Sequence, residues 1–228
     1  MEYNIINEDS KKYIQKLIKE KIIVNHIITD PPYNISKENN FYTLKNRQGV
    51  DFGEWDKGFD VCDWIKDYVK ILDANGSIII FCSYLYLSFI VQELNQNGMV
   101  VKDIIHWQKT NPMPRNVDRR YVSDVEYAIW AVKKGAKWVF HKDGAYNRSI
   151  IQCAITSKNQ RYGHPTAKPV ELLEKIILTH TNENDLILDP FMGVGSTGVA
   201  ALKNNRKFLG IEINKEYFDI VEKRLQSL

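Results

Sequence analysis

Cysteine is scarce in this chain: its 228 residues include three, Cys62, Cys82 and Cys153. They lie far apart and none belongs to a C-x-x-C pair, which excludes zinc-ribbon and thioredoxin-like motifs. The expectation is reduced core thiols in a reducing compartment, the cytoplasm. No basic-then-apolar leader opens the sequence. Long apolar runs are missing too. The longest uncharged stretch, Ala74 to Val91, is interrupted by Asn75, Gly76, Ser77, Ser83 and Ser88. It is too broken for a membrane span and reads as a strand followed by a helix. Internal repeats and low-complexity tracts are absent, and no Gly-Lys-Ser/Thr triplet completes a Walker loop.

What is present fits one α/β domain spanning residues 1–228. A chain of this length buries roughly 70% of its unfolded surface and needs no covalent staples. Strand-like runs alternate with helix-like ones. "SKKYIQKLIKE" sets Tyr13, Leu17 and Ile18 on one stripe, with Ser10 as the expected N-cap. "SIIIFC", "VVKDIIHW", "DLILDP" and "KFLGIE" read as strands, with helices between them and at the end. Asp63 to Ile71 reads as a helix turned by "DANGS". Pro169 is placed in the first turn of the helix after "GHPTAKP", where a missing N–H costs nothing. Such alternation predicts a doubly wound, mostly parallel sheet. Residues 34–58 are long, polar and irregular, and are predicted to form a mobile loop. Residues 109–160 lose the alternation and read as an insertion.

Charge is distributed unevenly. The net charge is +3, but residues 102–161 hold 12 Lys and Arg against 5 Asp and Glu, while the remainder holds 19 against 23. A basic segment within an acidic frame suits a polyanion-facing surface, although a solvated charged face produces the same pattern.

Two motifs carry chemistry. In "LILDPFMGVGSTGVAALKNNRKFLGIEI" a strand ends at Asp189, a loop holding Gly193 and Gly195 opens a helix, and a second strand ends in Glu212. An acidic residue about 20 positions after the first strand is where a ribose hydroxyl is held in nucleotide-type sites. "GVGSTG" fits the dinucleotide fingerprint by letters. An acidic strand end before the glycines, however, suits a ligand carrying an ammonium and hydroxyls rather than a pyrophosphate. S-adenosylmethionine (AdoMet) is such a ligand, with Glu212 for its ribose and the two glycines allowing close backbone approach. The bland alternative is a tight strand-to-helix turn.

The second motif is "VNHIITDPPYNIS", where a β-branched run stops at Asp30-Pro31-Pro32-Tyr33. An exocyclic nucleobase amine is a poor nucleophile because its lone pair is delocalised. A carboxylate (Asp30) and a rigidly aimed backbone carbonyl (Pro31) can each accept one N–H, directing the lone pair and stabilising developing positive charge. Tyr33 offers a face for base stacking, worth ~1–3 kcal/mol. The base must leave its duplex for this, at a cost of a few kcal/mol.

"DPPY" at 30–33, "HPTAKP" at 164–169 and "DPFMGVGSTGVAA" at 189–201 together resemble the amino-directed DNA methyltransferases. Their order, catalytic motif first and cofactor motif last, is similar to the circularly permuted β class. The resemblance runs from Glu8-Asp9-Ser10 to Glu212. It implies a Rossmann-like, seven-stranded, mostly parallel sheet with one reversed strand, AdoMet as methyl donor, and a flipped base. By position it implies that Asp30, Pro31, Pro32 and Tyr33 are catalytic. It further implies that Asp9, Asp30, Thr166, Lys168, Asp189, Phe191, Gly193, Gly195, Thr197 and Glu212 surround the cofactor, with Lys168 pairing with its carboxylate. Asp189 either contacts the ammonium or orients the loop, and Asp9 has the alternative of an exposed helix start. DPPY resembles adenine-N6 enzymes more than cytosine-N4 enzymes, which more often begin the motif with Ser.

The resemblance also implies double-stranded DNA as partner, with 109–160 as a small target-recognition region. Arg115, Arg119, Arg120, Lys142 and Arg148 are its candidate DNA contacts. A homodimer and a cognate restriction endonuclease are the further partners of this class. His106, His141 and His164 lack metal-ligand partners at useful spacing, and the transfer needs no metal. The competing readings are an N4-cytosine enzyme and a catalytically inactive DNA-recognition partner.

Overall fold

A computed structural model of the chain describes residues 2–34, 58–114, 117–157, 159–164 and 166–228. In chain order the elements are β1 (Tyr3–Ile6), α1 (Ser10–Lys19), β2 (Val24–Thr29), α2 (Ile65–Ile71), β3 (Leu72–Cys82), α3 (Leu87–Gln96), β4 (Met99–Lys109) and β5 (Val125–Lys133). They continue with β6 (Ile150–Cys153), α4 (Val170–His180), β7 (Leu186–Asp189), α5 (Ser196–Lys203), β8 (Lys207–Ile211) and α6 (Lys215–Gln226). The strands form one sheet in the order β1-β8-β7-β2-β3-β5-β4-β6. All neighbours run parallel except the two pairs that β5 makes, with β3 and with β4.

The sheet is buried on both faces, which is why its central strands read as continuous apolar runs. The side chains still alternate. Ile27, Ile78 and Ile80 pack with Tyr13, Leu17, Tyr68, Ile90 and Leu94 of α1, α2 and α3. Ile28, Ile79 and Phe81 pack on the opposite face with Leu172, Ile176, Ala200 and Val221 of α4, α5 and α6. Ile78, Ile79 and Ile80 are each 0% exposed, and burying such a side chain contributes about 1.5–3 kcal/mol. Helix α5 lies unusually close to the sheet. A Cβ added to Gly198 would sit 2.7 Å from Cε1 of Phe208 on β8.

The doubly wound, mostly parallel architecture matches the expectation, with corrections in detail. The sheet has eight strands rather than seven, because the short Ile150–Cys153 segment pairs in parallel with β4. "DANGS" does not turn the chain away from a helix but lies within β3, where the register against β2 shifts between Val24 and His26. Gly76 is needed there, since a Cβ would fall 2.3 Å from the Asn25 carbonyl oxygen. The N-cap of α1 is Asp9, not Ser10: its carboxylate accepts from the Lys11 N–H at 2.7 Å.

Within 109–160, Val125–Lys133 forms β5, flanked by β3 and β4. The other described residues of that region form turns and short extended segments around β6, and a single 3-10 turn begins at Asn159. Most of the expected 34–58 loop, and Arg115, lie outside the described residues. The loop's two described ends are joined, with the Gly58 N–H donating to Asn34 Oδ1 at 2.9 Å.

Candidate active site

Three neighbouring parallel strands, β2, β7 and β8, deliver their carboxyl ends to one edge of the sheet. Ile27 pairs with Leu188, and Asp189 with Gly210. Asp30, Asp189 and Glu212 therefore come out side by side although they are far apart in sequence. Open α/β sheets place ligands at this edge. A cavity of about 540 Å³ opens there. Its lining includes Asp30 to Tyr33, Asp9, Thr166, Lys168, Asp189, Phe191, Gly193, Thr197 and Glu212. The acidic strand end near the N-terminus and the glycine bend near the C-terminus thus share a single cleft.

Asp189 is a buried hub. Its Oδ1 accepts from Thr29 Oγ1 at 2.7 Å and from the Phe191 N–H at 3.1 Å. Burial pushes its carboxyl up to about 6, against the hydrogen bonds from Thr197, Thr29 and Phe191. These contacts lock the start of the glycine loop onto β2, so the loop-orienting role is the one the geometry displays.

Beyond Asp189 the chain bends over Gly193 and Gly195, both with positive φ, 52° and 77°. Their surroundings differ. A Cβ on Gly193 would face His164 at the cavity wall, 3.4 Å from Nε2. A Cβ on Gly195 would strike Val221 of α6 at 2.8 Å. Gly195 is not among the residues lining the cavity; it lets α6 pack against the loop.

Glu212 closes the loop from below. Its Oε2 accepts from the Gly193 N–H at 2.8 Å and its Oε1 from the Asn214 N–H at 2.7 Å. Burial pushes this carboxyl up to about 7, with the nearby Asp189 adding to the rise. Aromatic rings form one wall. Phe191 meets Phe59 and Trp64 edge to face, at 5.4 and 5.2 Å between centroids. Asp9 lines the cavity while also capping α1, and it is half-buried rather than exposed.

At the other end of the cavity lies Lys168, whose side chain is 5% exposed. Its ammonium lies 2.5 Å from Asp30 Oδ2, 3.2 Å from Tyr33 Oη and 3.2 Å from Glu126 Oε2. Glu126 also binds Lys109 through Oε1 at 2.9 Å. The residues form a chain of alternating charge: Lys109, Glu126, Lys168, Asp30. Burial raises the Asp30 carboxyl and outweighs the pull of Lys168. Burial also disfavours the charged lysine, but Asp30 and Glu126 more than offset it and hold Lys168 above the usual range. Asp30 Oδ1 is buried with no hydrogen-bond partner among the described residues. A buried acceptor left unmet costs about 1–3 kcal/mol, so it marks a position held for function.

Sequence reasoning missed Glu126, His164 and Phe59, all of which line the cavity. Glu126 opens the apolar run "YAIWAV", and the reversal of β5 carries that first residue to the carboxyl edge, opposite Trp107 of β4. His164 sits inside "HPTAKP". Its ring stacks at a tilt on Tyr217, 4.8 Å between centroids. Burial, with Lys168 nearby, holds it down at about 4, so it is neutral at physiological pH. Arg119, Arg120, Lys142 and Arg148 are exposed and none lines this cavity. Arg148 instead borders a shallow depression with Gln108, Gln152 and Lys175. Among the described residues no helix is long and apolar enough to cross a membrane.

The family model described as DNA methylase matches residues 24–223. The Type II methyltransferase M2.LlaDCHI of Lactococcus lactis subsp. cremoris is 35% identical, over 98% of this chain and 89% of its own. M2.DpnII of Streptococcus pneumoniae, also a Type II methyltransferase, is 34% identical over the same shares. The crystal structure of the M1.HpyAVI–SAM complex superposes with a TM-score of 0.83 at 44% identity, covering 98% of both chains.

Proposed function

This chain belongs to the DNA methylase family, and we propose that it transfers a methyl group from AdoMet to the N6 amine of an adenine flipped out of duplex DNA at a specific site. One observation carries this reading: Asp30 and the Gly193–Glu212 bend face each other across one cavity. A carboxylate aimed at an amine is useful only if a methyl donor is held within reach.

The residues present fit AdoMet. Glu212 is a buried acid whose carboxylate, among the described residues, accepts from the backbone N–H groups of Gly193 and Asn214, so its remaining lone pairs suit ribose hydroxyls. The Phe191 and Phe59 rings offer an apolar wall for adenine, with Trp64 packed behind Phe191. Bound there, AdoMet supplies an electrophilic methyl on a sulfonium. Asp30 and the Pro31 carbonyl accept the two amine hydrogens, so the lone pair points at that methyl and positive charge forming on nitrogen is stabilised. Tyr33 supplies a stacking face. Neutral His164 adds no positive charge beside the donor.

Adenine rather than cytosine is supported by Asp at the first motif position. Arg119, Arg120, Lys142 and Arg148 remain the candidate DNA contacts, outside the transfer cavity. Three free thiols support a reducing, cytoplasmic setting. A homodimer and a cognate endonuclease rest on the family resemblance alone.

Labelled AdoMet and mixed-sequence duplex DNA, followed by digestion to nucleosides, test the reading. Label in N6-methyladenine is expected. Label in N4-methylcytosine overturns the base assignment, and label absent from DNA overturns the activity. Asp30→Ala should abolish transfer while calorimetry still detects AdoMet binding; normal turnover would remove Asp30 from the chemistry.

A further inference from the structure

The chain of charges behind Asp30 has a function of its own, which rests on the methyltransferase reading. We propose that Glu126 is a positioning residue for methyl transfer: by sharing the Lys168 ammonium with Asp30 and offsetting its charge, it keeps that carboxylate a strong acceptor for the target amine.

The geometry is specific. Lys168 Nζ is shared between Asp30 Oδ2 at 2.5 Å and Glu126 Oε2 at 3.2 Å. Such a close cation satisfies one carboxylate oxygen of Asp30 and opposes the positive charge that develops on the amine. Left to itself, Lys168 would weaken the group that the reaction depends on. Glu126 supplies the compensating charge from β5, and Lys109 holds Glu126 in place at 2.9 Å. With both lysines protonated and both acids ionised, the four groups sum to zero. The reacting nitrogen therefore meets a neutral cluster with an acceptor at its near end. Both Lys168 and Glu126 also line the cavity, so the arrangement reaches the place of reaction.

The charged and titratable groups facing Asp30 come from every neighbouring element. Tyr33 is on its own loop, Cys82 on β3, Glu126 on β5, Asp189 on β7, and Lys168 on the segment before α4. Glu126 raises Asp30 and Lys168 lowers it. Removing the Glu126 charge must therefore drop the Asp30 carboxyl, and removing Lys109 must do the reverse.

The test uses the full chain, labelled AdoMet at saturation and duplex DNA, with kcat and the pH profile of kcat/KM for DNA. That profile reports groups of the enzyme before DNA binds. Glu126→Gln should lower kcat by about tenfold to a hundredfold and move the acid limb to lower pH. Glu126→Asp, which restores the charge, should recover part of both. Lys109→Met should move the limb to higher pH. A merely structural role predicts no such opposition of sign. An unmoved limb in Glu126→Gln, or limbs moving the same way in Glu126→Gln and Lys109→Met, would overturn the inference. If Glu126→Gln does not fold, the opposed shifts of Glu126→Asp and Lys109→Met decide it. Should the unsubstituted protein fail to label DNA, the methyltransferase reading falls. The inference is then still read from carboxyl ¹³C NMR titration of Asp30 in the same proteins, where identical titration curves would sink it.

Discussion

Replacing Glu212 by Gln tests how the cofactor end of the cavity works. Each oxygen of Glu212 already accepts one backbone N–H, from Gly193 at 2.8 Å and from Asn214 at 2.7 Å. A ribose that donates hydroxyls to this carboxylate needs it ionised. Yet burial raises its pKa to about 7 in the empty protein. Between pH 8 and pH 6 the ionised fraction then falls from about nine-tenths to about one-tenth. Since only the ionised form binds well, the Kd for AdoMet should rise about tenfold over that interval. The sign is fixed: acid weakens binding, and the loss is complete only well below neutrality. Gln keeps the shape but not the charge. At pH 8 it should forfeit about 1.5–3 kcal/mol of charge-assisted hydrogen bonding, a rise in Kd of roughly ten- to 150-fold. Its own Kd should be flat from pH 6 to pH 8. Titration calorimetry at several pH values measures both proteins. A wild-type Kd that ignores pH, or a Gln variant that binds as tightly at pH 8, would refute the placement of the ribose on Glu212.

Two further substitutions address the scaffold. Gly198→Ala puts a methyl group 2.7 Å from the fully buried Phe208 ring; overpacking of that kind costs about 1–3 kcal/mol, and a lowered thermal midpoint checks it, whereas an unchanged one would show that α5 shifts freely. Arg206 is buried and donates to Thr181 Oγ1, the Thr181 carbonyl and the Asn204 carbonyl at 2.9, 2.7 and 2.5 Å. Arg206→Met should cost roughly 1–3 kcal/mol by leaving those acceptors unmet, seen as a lower denaturant midpoint. Because Arg206 precedes β8, at the sheet edge opposite the cavity, methyl transfer per folded molecule should not change.

Legibility in the sequence followed chemistry more than topology. Asp30-Pro31-Pro32-Tyr33 and the Asp189-to-Glu212 stretch were readable because strand ends rich in acid, proline and glycine have few structural uses. Their meeting followed from parallel strands sharing an edge. The strand β5, Val125–Lys133, was not readable as part of the sheet. Among the described residues no helix precedes or follows it closely, so the alternation that signals parallel strands breaks there, and the stretch resembles an insertion. With β5 misplaced, Glu126 had no reason to be near Asp30, and Lys168 was assigned to a cofactor carboxylate rather than to Asp30. The split between Gly193 and Gly195 was equally hidden. Both need positive φ, but only packing against Val221 shows that one of them serves α6.

The pairing of β2 with β7 has a consequence for how the protein is made. On the ribosome β2 emerges early and gains β3 as a neighbour within some tens of residues. Its other edge stays open until Leu186–Asp189 has been synthesised, and β1 waits still longer for β8. Long-range closures of this kind are slow and leave an apolar strand edge exposed to other chains. Nascent molecules of this protein therefore hold the Asp30–Tyr33 side of the cleft long before the opposite side exists. The cavity cannot form until Asp189 to Glu212 has been made.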